Sequence, residues 1–252
     1  MNLMERFYPE SRFGGFTDAD GTLAFFHRVN ALLLPSHVVL DVGCGRGEYA
    51  EDPVPFRRDL RILKGKVRQV VGLDVDEAAR SNPFLDEFRR LQGAAWPVET
   101  ASADMILCDH VLEHVADPDA FFGEIRRALK PGGLLCFRTP NRWGYVALLA
   151  RLVPNRLHAR TLAFAQSARK SEDVFPTLYR CNSLPRLRRL FQDHDLSGVV
   201  YGFEAEPAYL SFSRWAYACG VLHRKWAWNA IRPVLFGFAE RVDPSPDRRG
   251  PC

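Results

Sequence analysis

The sequence predicts an α/β fold, a doubly wound sheet that ends in an antiparallel strand and carries an inserted helical cap. Three observations lead to this prediction. Short apolar runs rich in β-branched residues alternate with segments of helical periodicity, as in parallel sheets. Acidic residues end three of these runs, at Asp41, Asp74 and Asp109. The run at 38–40 leads into a glycine-rich turn, where such sheets bind ligands at the carboxyl ends of their strands.

The predicted elements follow one another in an alternating order. An aromatic N-terminal segment and helix occupy 1–34, with Asp20 as N-cap and Pro35 as the stop. We expect the aromatic residues of this segment to pack on the rest of the chain. Strands are predicted at 38–40, 69–76, 91–94, 103–109, 134–138, 198–203 and 234–242. Helices are predicted at 21–34, near Pro83, and at 118–130, 184–191 and 207–228.

Composition indicates an ordinary globular protein. Its 252 residues, 47% hydrophobic and 25% charged, suit a single domain over 1–252, with a helical cap insertion at 142–180 and a helical insertion at 205–230. The N-terminus lacks a signal-peptide core, and no apolar run is long enough to span a membrane. Six scattered cysteines form no CxxC pair, so we expect reduced thiols and a cytoplasmic location.

Charge is unevenly distributed along the chain. Residues 1–137 carry 16 Lys and Arg against 21 Asp and Glu, whereas residues 138–252 carry 18 against 9. The basic half could face an anionic substrate, a membrane surface or nucleic acid. Solvated arginines on a surface are the default interpretation.

The glycine turn places Gly43, Gly45 and Gly47 at alternate positions. The dinucleotide fingerprint G-x-G-x-x-G would need glycine at position 48, which is Glu48 here. Asp41 would repel a phosphate but suits a ligand that carries an ammonium group, such as S-adenosylmethionine. A purely structural strand-to-helix turn is the alternative.

Residues 38–49, VVLDVGCGRGEY, resemble motif I of the class I S-adenosylmethionine-dependent methyltransferases. The run DMILCDHVLEHVADP, followed by LKPGG, resembles a later segment of the same family, particularly the small-molecule O-methyltransferase branch that includes ubiquinone-biosynthesis enzymes. The resemblance covers about residues 36–140. It implies a Rossmann-like fold and S-adenosyl-L-methionine as cofactor.

The resemblance also implies which residues contact the cofactor. Asp41 would bind its ammonium group and Asp74 its ribose hydroxyls, although Asp74 could instead be a solvent-exposed turn residue. Gln92 stands where the family carries an acid that contacts the adenine. The complete predicted set is Asp41, Gly43, Cys44, Gly45, Gly47, Asp74, Val75, Gln92 and Asp109.

Two histidines are candidate general bases, His110 directly after the fourth predicted strand and His158 in the cap. His110, Glu113 and His114 also have the i, i+3, i+4 spacing of one helical face. Related enzymes hold a divalent metal with Glu-x-x-Glu-His, but His110 replaces the first glutamate here. We therefore assign no metal, and the alternative role of Glu113 and His114 is to cap and orient the helix.

These features predict a methyltransferase that acts on an oxygen atom of a small molecule, a glycan or a lipid-linked intermediate. A nucleic-acid methyltransferase is the alternative that the basic half suggests, but DHVL after the fourth strand lacks the Asn/Asp-Pro-Pro-aromatic signature, so no nucleic-acid partner is expected. A binding protein that kept the fold without catalysis is a third possibility.

The segment 208–228 is aromatic, with basic residues such as Arg214 and Lys225 beside its tryptophans. An amphipathic helix usually packs its apolar stripe on its own sheet, and we expect that arrangement here. The alternative is weak, peripheral contact with a membrane, because Trp and Tyr beside Arg and Lys are typical of interfacial helices.

Overall fold

A mixed β-sheet organises the part of the chain that the structure, a computed structural model, describes: residues 2–152 and 176–243. Its strand order is β3-β2-β1-β4-β5-β7-β6. Strand β7 runs antiparallel to both of its neighbours, and the other pairs are parallel. The predicted doubly wound sheet with an antiparallel last strand is therefore confirmed. The strands are β1 Val38–Val42, β2 Gln69–Asp74, β3 Glu87–Arg90, β4 Ala103–Asp109, β5 Leu129–Pro140, β6 Leu196–Phe203 and β7 Val234–Arg241.

Helices cover the sheet and extend beyond it. Asp20 begins the second helix as predicted, because its carboxylate accepts hydrogen bonds from the backbone N–H groups of Thr22 and Leu23. No helix of the described residues is long and apolar enough to cross a membrane. The helices are α1 Leu3–Phe7, α2 Gly21–Leu32, α3 Pro55–Arg61, α4 Pro118–Ala128, α5 Tyr145–Leu152, α6 Leu184–Asp193 and α7 Arg214–Trp226.

The core lies on both faces of the sheet. Side chains of a strand alternate between faces, so Val39 of β1 packs with Phe25 of α2, whereas Leu40 packs with Phe122 of α4. All four side chains are almost fully buried. Burial of each such side chain stabilises the fold by about 1.5–3 kcal/mol. This two-sided burial explains why the central strands have nearly continuous apolar sequences.

Two predictions between β2 and β4 are wrong. The third strand is Glu87–Arg90 rather than 91–94, and it pairs with β2 at the edge of the sheet. No helix begins near Pro83; a 3₁₀ turn at Glu77–Ser81 precedes it. Asn82, the residue before the proline, is extended with a ψ of 113°, which ends this turn. Asn82 instead accepts a hydrogen bond from the N–H of Phe84.

The start of the aromatic N-terminal segment packs against α7 as expected, whereas Phe13 of the same segment is 82% exposed. Tyr8 is buried with Tyr217, and the ring of Phe7 lies 5.2 Å from the ring of Tyr217. The expectation that the apolar stripe of α7 packs on the sheet is wrong, because Trp215 and Trp226 are among the most exposed large side chains. The buried side of α7 instead carries Tyr217 and Gly220.

The inserted cap predicted at 142–180 is described in part. Helix α5 and residues 176–180 belong to the described ranges, and residues 153–175 do not. The candidate base His158 therefore lies outside the described residues.

Candidate functional site

Three carboxylates end neighbouring strands at one edge of the sheet. Strand β1 lies between β2 and β4, and the register pairs Asp41 with Gly72 on one side and Leu107 on the other. Because the three strands are parallel, their carboxyl ends bring Asp41, Asp74 and Asp109 to the same edge. We call this edge the donor edge.

The glycine loop after β1 needs glycine at specific positions. Gly43 has a φ of 68°, and a Cβ atom there would lie 2.5 Å from a methyl carbon of Val111. Gly47 has a φ of 82°, and a Cβ atom there would lie 2.8 Å from the side-chain oxygen of Asn82. Residues with a Cβ atom adopt such φ values at a cost. The loop thus presents bare backbone at the donor edge.

Two side chains fix the glycine loop. The carboxylate of Asp74 accepts hydrogen bonds from the N–H groups of Gly45, at 3.0 Å, and Asp76, at 2.9 Å. The amide of Asn82 donates to the carbonyl oxygens of Cys44 and Gly45, at 3.1 Å each. Asp74 is buried, which excludes the exposed turn residue considered as the alternative. Sequence reasoning missed Asn82, although Asn before Pro is a recognised turn signal.

Asp41 is a partly buried carboxylate with no hydrogen bond to any described residue. Burial, and then the charge of Asp109, raise the pKa of Asp41 to about 7. A carboxylate without a partner in such surroundings is unfavourable in its ionised form. A ligand ammonium group bound at the end of β1 would supply the missing positive charge.

Asp109 is engaged by arginines. Arg138 binds both of its oxygens, and Arg61 approaches one of them at 3.4 Å. Burial alone would raise the pKa of Asp109, but the charge and hydrogen bonds of Arg138 hold it well below its ordinary value. This carboxylate therefore stays ionised and orders both Arg138 and Arg61.

Arg61 is a site residue that the sequence did not indicate. Its guanidinium lies 4.6 Å from the centre of the Tyr49 ring, and its Nε is buried without a hydrogen-bond partner among the described residues. Its positive charge contributes to the electrostatic field at Asp41. A donor that carries an amino acid group has both an ammonium and a carboxylate, and Asp41 and Arg61 have the complementary charges.

His110 directly follows β4 in a strained conformation. Its φ of 60° is unusual for a residue other than glycine. Its Nδ1 lies 3.3 Å from Oε1 of Glu113, and its Nε2 lies 4.0 Å from Oδ1 of Asp109. The imidazole therefore lies between two carboxylates at the donor edge. Strain of this kind is concentrated at functional sites.

Glu113 is buried, with 4% of its surface exposed, and belongs to a polar network. Its Oε2 accepts a hydrogen bond of 2.9 Å from Thr139, whose hydroxyl accepts one of 2.6 Å from Asn182. Burial would raise the pKa of Glu113, but its hydrogen bond with His110 and the charge of that ring lower it. The network fixes the carboxylate that orients His110.

The spacing of His110, Glu113 and His114 does not make a helical face. Residues Leu112–His114 form a 3₁₀ turn, and Nδ1 of His114 lies 2.9 Å from the carbonyl oxygen of Pro176. Within the described ranges, no group of three or more His, Cys, Asp or Glu side chains could hold a metal ion. The structure therefore brings His110 and Glu113 together as a pair.

The remaining predicted cofactor residues flank this edge. Gln92 is exposed just after β3, and the preceding Leu91 donates a backbone hydrogen bond to the carbonyl oxygen of Asp74. Val75 is exposed directly after β2. The side chain of Cys44 is buried in the core, so only its backbone faces the loop surface.

The site fits the donor that the resemblance implies. S-adenosylmethionine carries an ammonium and a carboxylate at one end and ribose hydroxyls near the other. Asp41 and Arg61 would hold the amino acid group, and Asp74 has oxygen lone pairs for the ribose hydroxyls.

Comparison with known proteins agrees with this geometry. A sequence profile of a methyltransferase domain family matches residues 18–200. The chain is similar to a probable S-adenosylmethionine-dependent methyltransferase of Mycolicibacterium smegmatis, with 36% identity. That match covers 41% of this chain and only 38% of the relative's length. A ubiquinone biosynthesis O-methyltransferase of Thiobacillus denitrificans is 31% identical over 64% of this chain and 76% of its own length.

A solved structure shares the fold. Geranyl diphosphate C-methyltransferase of Streptomyces coelicolor, in complex with S-adenosyl-L-homocysteine, superposes with a TM-score of 0.53 at 15% identity. The match covers 87% of this chain and 74% of the other. The chain therefore belongs to the methyltransferase domain family, within the class I S-adenosylmethionine-dependent methyltransferases.

Proposed function

We propose that this protein transfers a methyl group from S-adenosyl-L-methionine to an oxygen atom of a small molecule, a glycan or a lipid-linked intermediate in the cytoplasm. The observation that carries the proposal is the pairing of His110 with buried Glu113 beside the donor edge. A hydroxyl acceptor must lose its proton during transfer, and a histidine oriented by a carboxylate suits that task. The O-methyltransferase name of the Thiobacillus relative is compatible with an oxygen acceptor.

Each side chain has one task in this mechanism. The donor supplies an electrophilic methyl group on a sulfonium ion, which becomes a neutral thioether after transfer. Asp41 and Arg61 bind the amino acid group, and Asp74 binds the ribose. Nδ1–H of His110 donates to Glu113, so Nε2 is the atom that accepts the acceptor's hydroxyl proton while the new oxygen–carbon bond forms.

Two carboxylates flank His110 where it takes up the proton. Glu113 lies at Nδ1 and Asp109 lies 4.0 Å from Nε2. Glu113 is a positioning residue in this scheme, since it acts on the acceptor through His110.

The experiment is a screen for S-adenosylhomocysteine formation with lipid-linked, quinol, glycan and RNA acceptors. We expect turnover with one of the first three classes. Turnover with RNA alone would instead establish the nucleic-acid alternative. Donor binding without turnover on any acceptor would contradict the proposed activity.

Variants then test the assigned base on the acceptor that the screen finds. His110→Ala should lower kcat roughly 100-fold or more, within the usual contribution of a general base. Glu113→Gln should lower kcat while the dissociation constant for S-adenosylhomocysteine stays the same. His27→Gln is the matched control, because His27 is exposed on α2. A His110→Ala variant with the kcat of wild type would exclude His110 as the base.

A further inference from the structure

Helix α7 exposes an aromatic stripe instead of burying it. Trp215, Leu222 and Trp226 are separated by seven and four residues, so they share one side of the helix. Trp215 is 71% exposed and Trp226 is 79% exposed. The buried side of the same helix carries Tyr217 and Gly220. Contiguous exposed apolar side chains of this size indicate an interaction surface.

More aromatic residues continue the stripe beyond both ends of the helix. Tyr209 and Phe212 are exposed before it, and Trp228, 81% exposed, follows it. Together they form a surface that we call the aromatic patch, which consists of Tyr209, Phe212, Trp215, Leu222, Trp226 and Trp228.

Positive charge predominates around the aromatic patch. Residues 204–233, which carry the patch, contain four Lys and Arg against two Glu, and one of these, Glu204, is buried against His223. The guanidinium of Arg214 lies 4.8 Å from the centre of the Trp215 ring, and Lys225 is exposed beside Trp226. The charge of Arg224 is not available to a ligand in the same way, because Arg224 forms an ion pair with Asp18. The local excess of positive charge complements an anionic surface.

The buried side of α7 fixes the orientation of the patch. His223 contacts the buried carboxylate of Glu204 at 2.7 Å, and Tyr217 packs on the N-terminal segment. At Gly220 the helix approaches so closely that a Cβ atom would lie 2.5 Å from Pro207. The aromatic patch therefore faces away from the body of the protein.

The patch lies on the same side of the molecule as the donor edge. Strand β6 ends at Phe203 and β7 begins at Val234, and both residues are level with Pro140, at the carboxyl end of β5. The segment 204–233 that carries the patch therefore projects from the edge that also carries Asp41 and Asp74. A surface bound by the patch would lie on the side of the molecule that carries the donor edge.

We propose that the aromatic patch binds the headgroup region of an anionic lipid bilayer and thereby presents the donor edge to a lipid-borne acceptor. Tryptophan and phenylalanine insert at the depth where the headgroups meet the acyl chains, while arginine and lysine bind anionic headgroups. The proposed bilayer contact depends only on the properties of the aromatic patch. The lipid-borne acceptor rests additionally on the proposed methyl transfer.

Flotation of the full chain with vesicles tests the bilayer contact without any donor. We expect the wild type to float with phosphatidylglycerol-containing vesicles at low ionic strength, much less at high salt, and less with pure phosphatidylcholine. Tryptophan fluorescence should shift to the blue on binding, and lipids brominated on their acyl chains should quench it. Protein that stays at the bottom of the gradient with anionic vesicles overturns the proposal.

Variants assign the binding to the patch. The double variant Trp215→Ser, Trp226→Ser should weaken vesicle binding at least tenfold, whereas Val199→Ser, another exposed apolar position, should not. Lys225→Gln should weaken binding to anionic vesicles more than Arg68→Gln, since Arg68 precedes β2 at the opposite edge of the sheet. Equal flotation of the double variant and the wild type overturns the assignment.

The test also separates this inference from its alternatives. Sedimentation equilibrium without lipid measures the oligomeric state of the wild type and of the double variant. If the wild type is a dimer and the double variant is a monomer, the patch is a contact between two copies, and the proposal is overturned. Turnover of a soluble acceptor by a protein that does not float would refute the bilayer contact alone. Flotation without turnover of any acceptor would refute the proposed methyl transfer and leave the bilayer contact supported.

Discussion

Asp41→Asn should make the ligand-free protein more stable and the donor bind more weakly. The ordinary pKa of 3.8 is raised to about 7 at Asp41 because the carboxylate is buried near Asp109. The ionised side chain is thus unfavourable in the folded state. An amide of the same shape removes that charge.

The size of the effect follows from linkage. A rise from 3.8 to about 7 corresponds to about 4 kcal/mol, at about 1.4 kcal/mol for each factor of ten. The amide is also partly desolvated, so we expect a gain of about 2 kcal/mol above pH 7. In the unfolded chain Asp41 ionises near pH 4, but in the folded protein it does so only near pH 7. The advantage of the variant should therefore grow between these two values, and below them the desolvated amide should make the variant the less stable protein.

Urea unfolding of both proteins at about pH 5 and about pH 8 measures this advantage. Calorimetry with S-adenosylhomocysteine should show at least roughly tenfold weaker binding by the variant, since a charged hydrogen bond contributes about 1.5–3 kcal/mol. Wild-type affinity should rise with pH up to about 7, because the ammonium binds the ionised carboxylate. A variant that is less stable than the wild type at the higher pH would refute the reasoning.

Asp104→Asn is the matched control. Burial alone would raise the pKa of Asp104, but its hydrogen bonds with Lys130 and the backbone N–H of Val38 lower it. The folded state therefore favours ionised Asp104, and the amide should lower stability at the higher pH. The two substitutions should change the free energy of unfolding in opposite directions.

Three further predictions concern the donor edge. Asp74→Ala should weaken S-adenosylhomocysteine binding by about 1–3 kcal/mol, because the ribose hydroxyls lose a charged acceptor; unchanged affinity in calorimetry would exclude the assignment. Arg61→Gln should weaken S-adenosylhomocysteine roughly tenfold but not methylthioadenosine, which lacks the amino acid group, and equal losses would exclude a carboxylate contact. Gly47→Ala should lower the free energy of unfolding more than Gly65→Ala. The two glycines have nearly equal φ values, 82° and 83°, but only at Gly47 would a Cβ atom meet a neighbour, the side chain of Asn82. Equal losses in urea unfolding would show that the contact with Asn82 costs no stability.

The central strands and the donor edge were predictable because their signals are local. Strands β1, β2 and β4 are buried on both faces, so each is mostly apolar, and an acid is the last or next-to-last residue of each one. The glycine spacing and Asp41 are adjacent in sequence. Local patterns of this kind need no knowledge of the tertiary structure.

The errors arise where tertiary contacts decide. Strand β3 is a charged edge strand, EFRR, whose pairing with β2 outweighs its lack of an apolar pattern. Asn82 and Arg61 reach the donor edge from segments distant in sequence, so no local motif reveals them. Periodicity showed that α7 has an apolar stripe, but it could not show which side the neighbouring elements would cover.

The thiols of this protein differ sharply in accessibility. Four of the cysteines in the described ranges, Cys44, Cys108, Cys136 and Cys181, are buried, and burial raises the pKa of each. Cys219 is the exposed one, on α7 four residues after Trp215. Because buried thiols of raised pKa react slowly, a maleimide should modify Cys219 selectively in a Cys252→Ser background. A spin label attached to Cys219 would report directly how deeply this face of the protein enters a lipid bilayer.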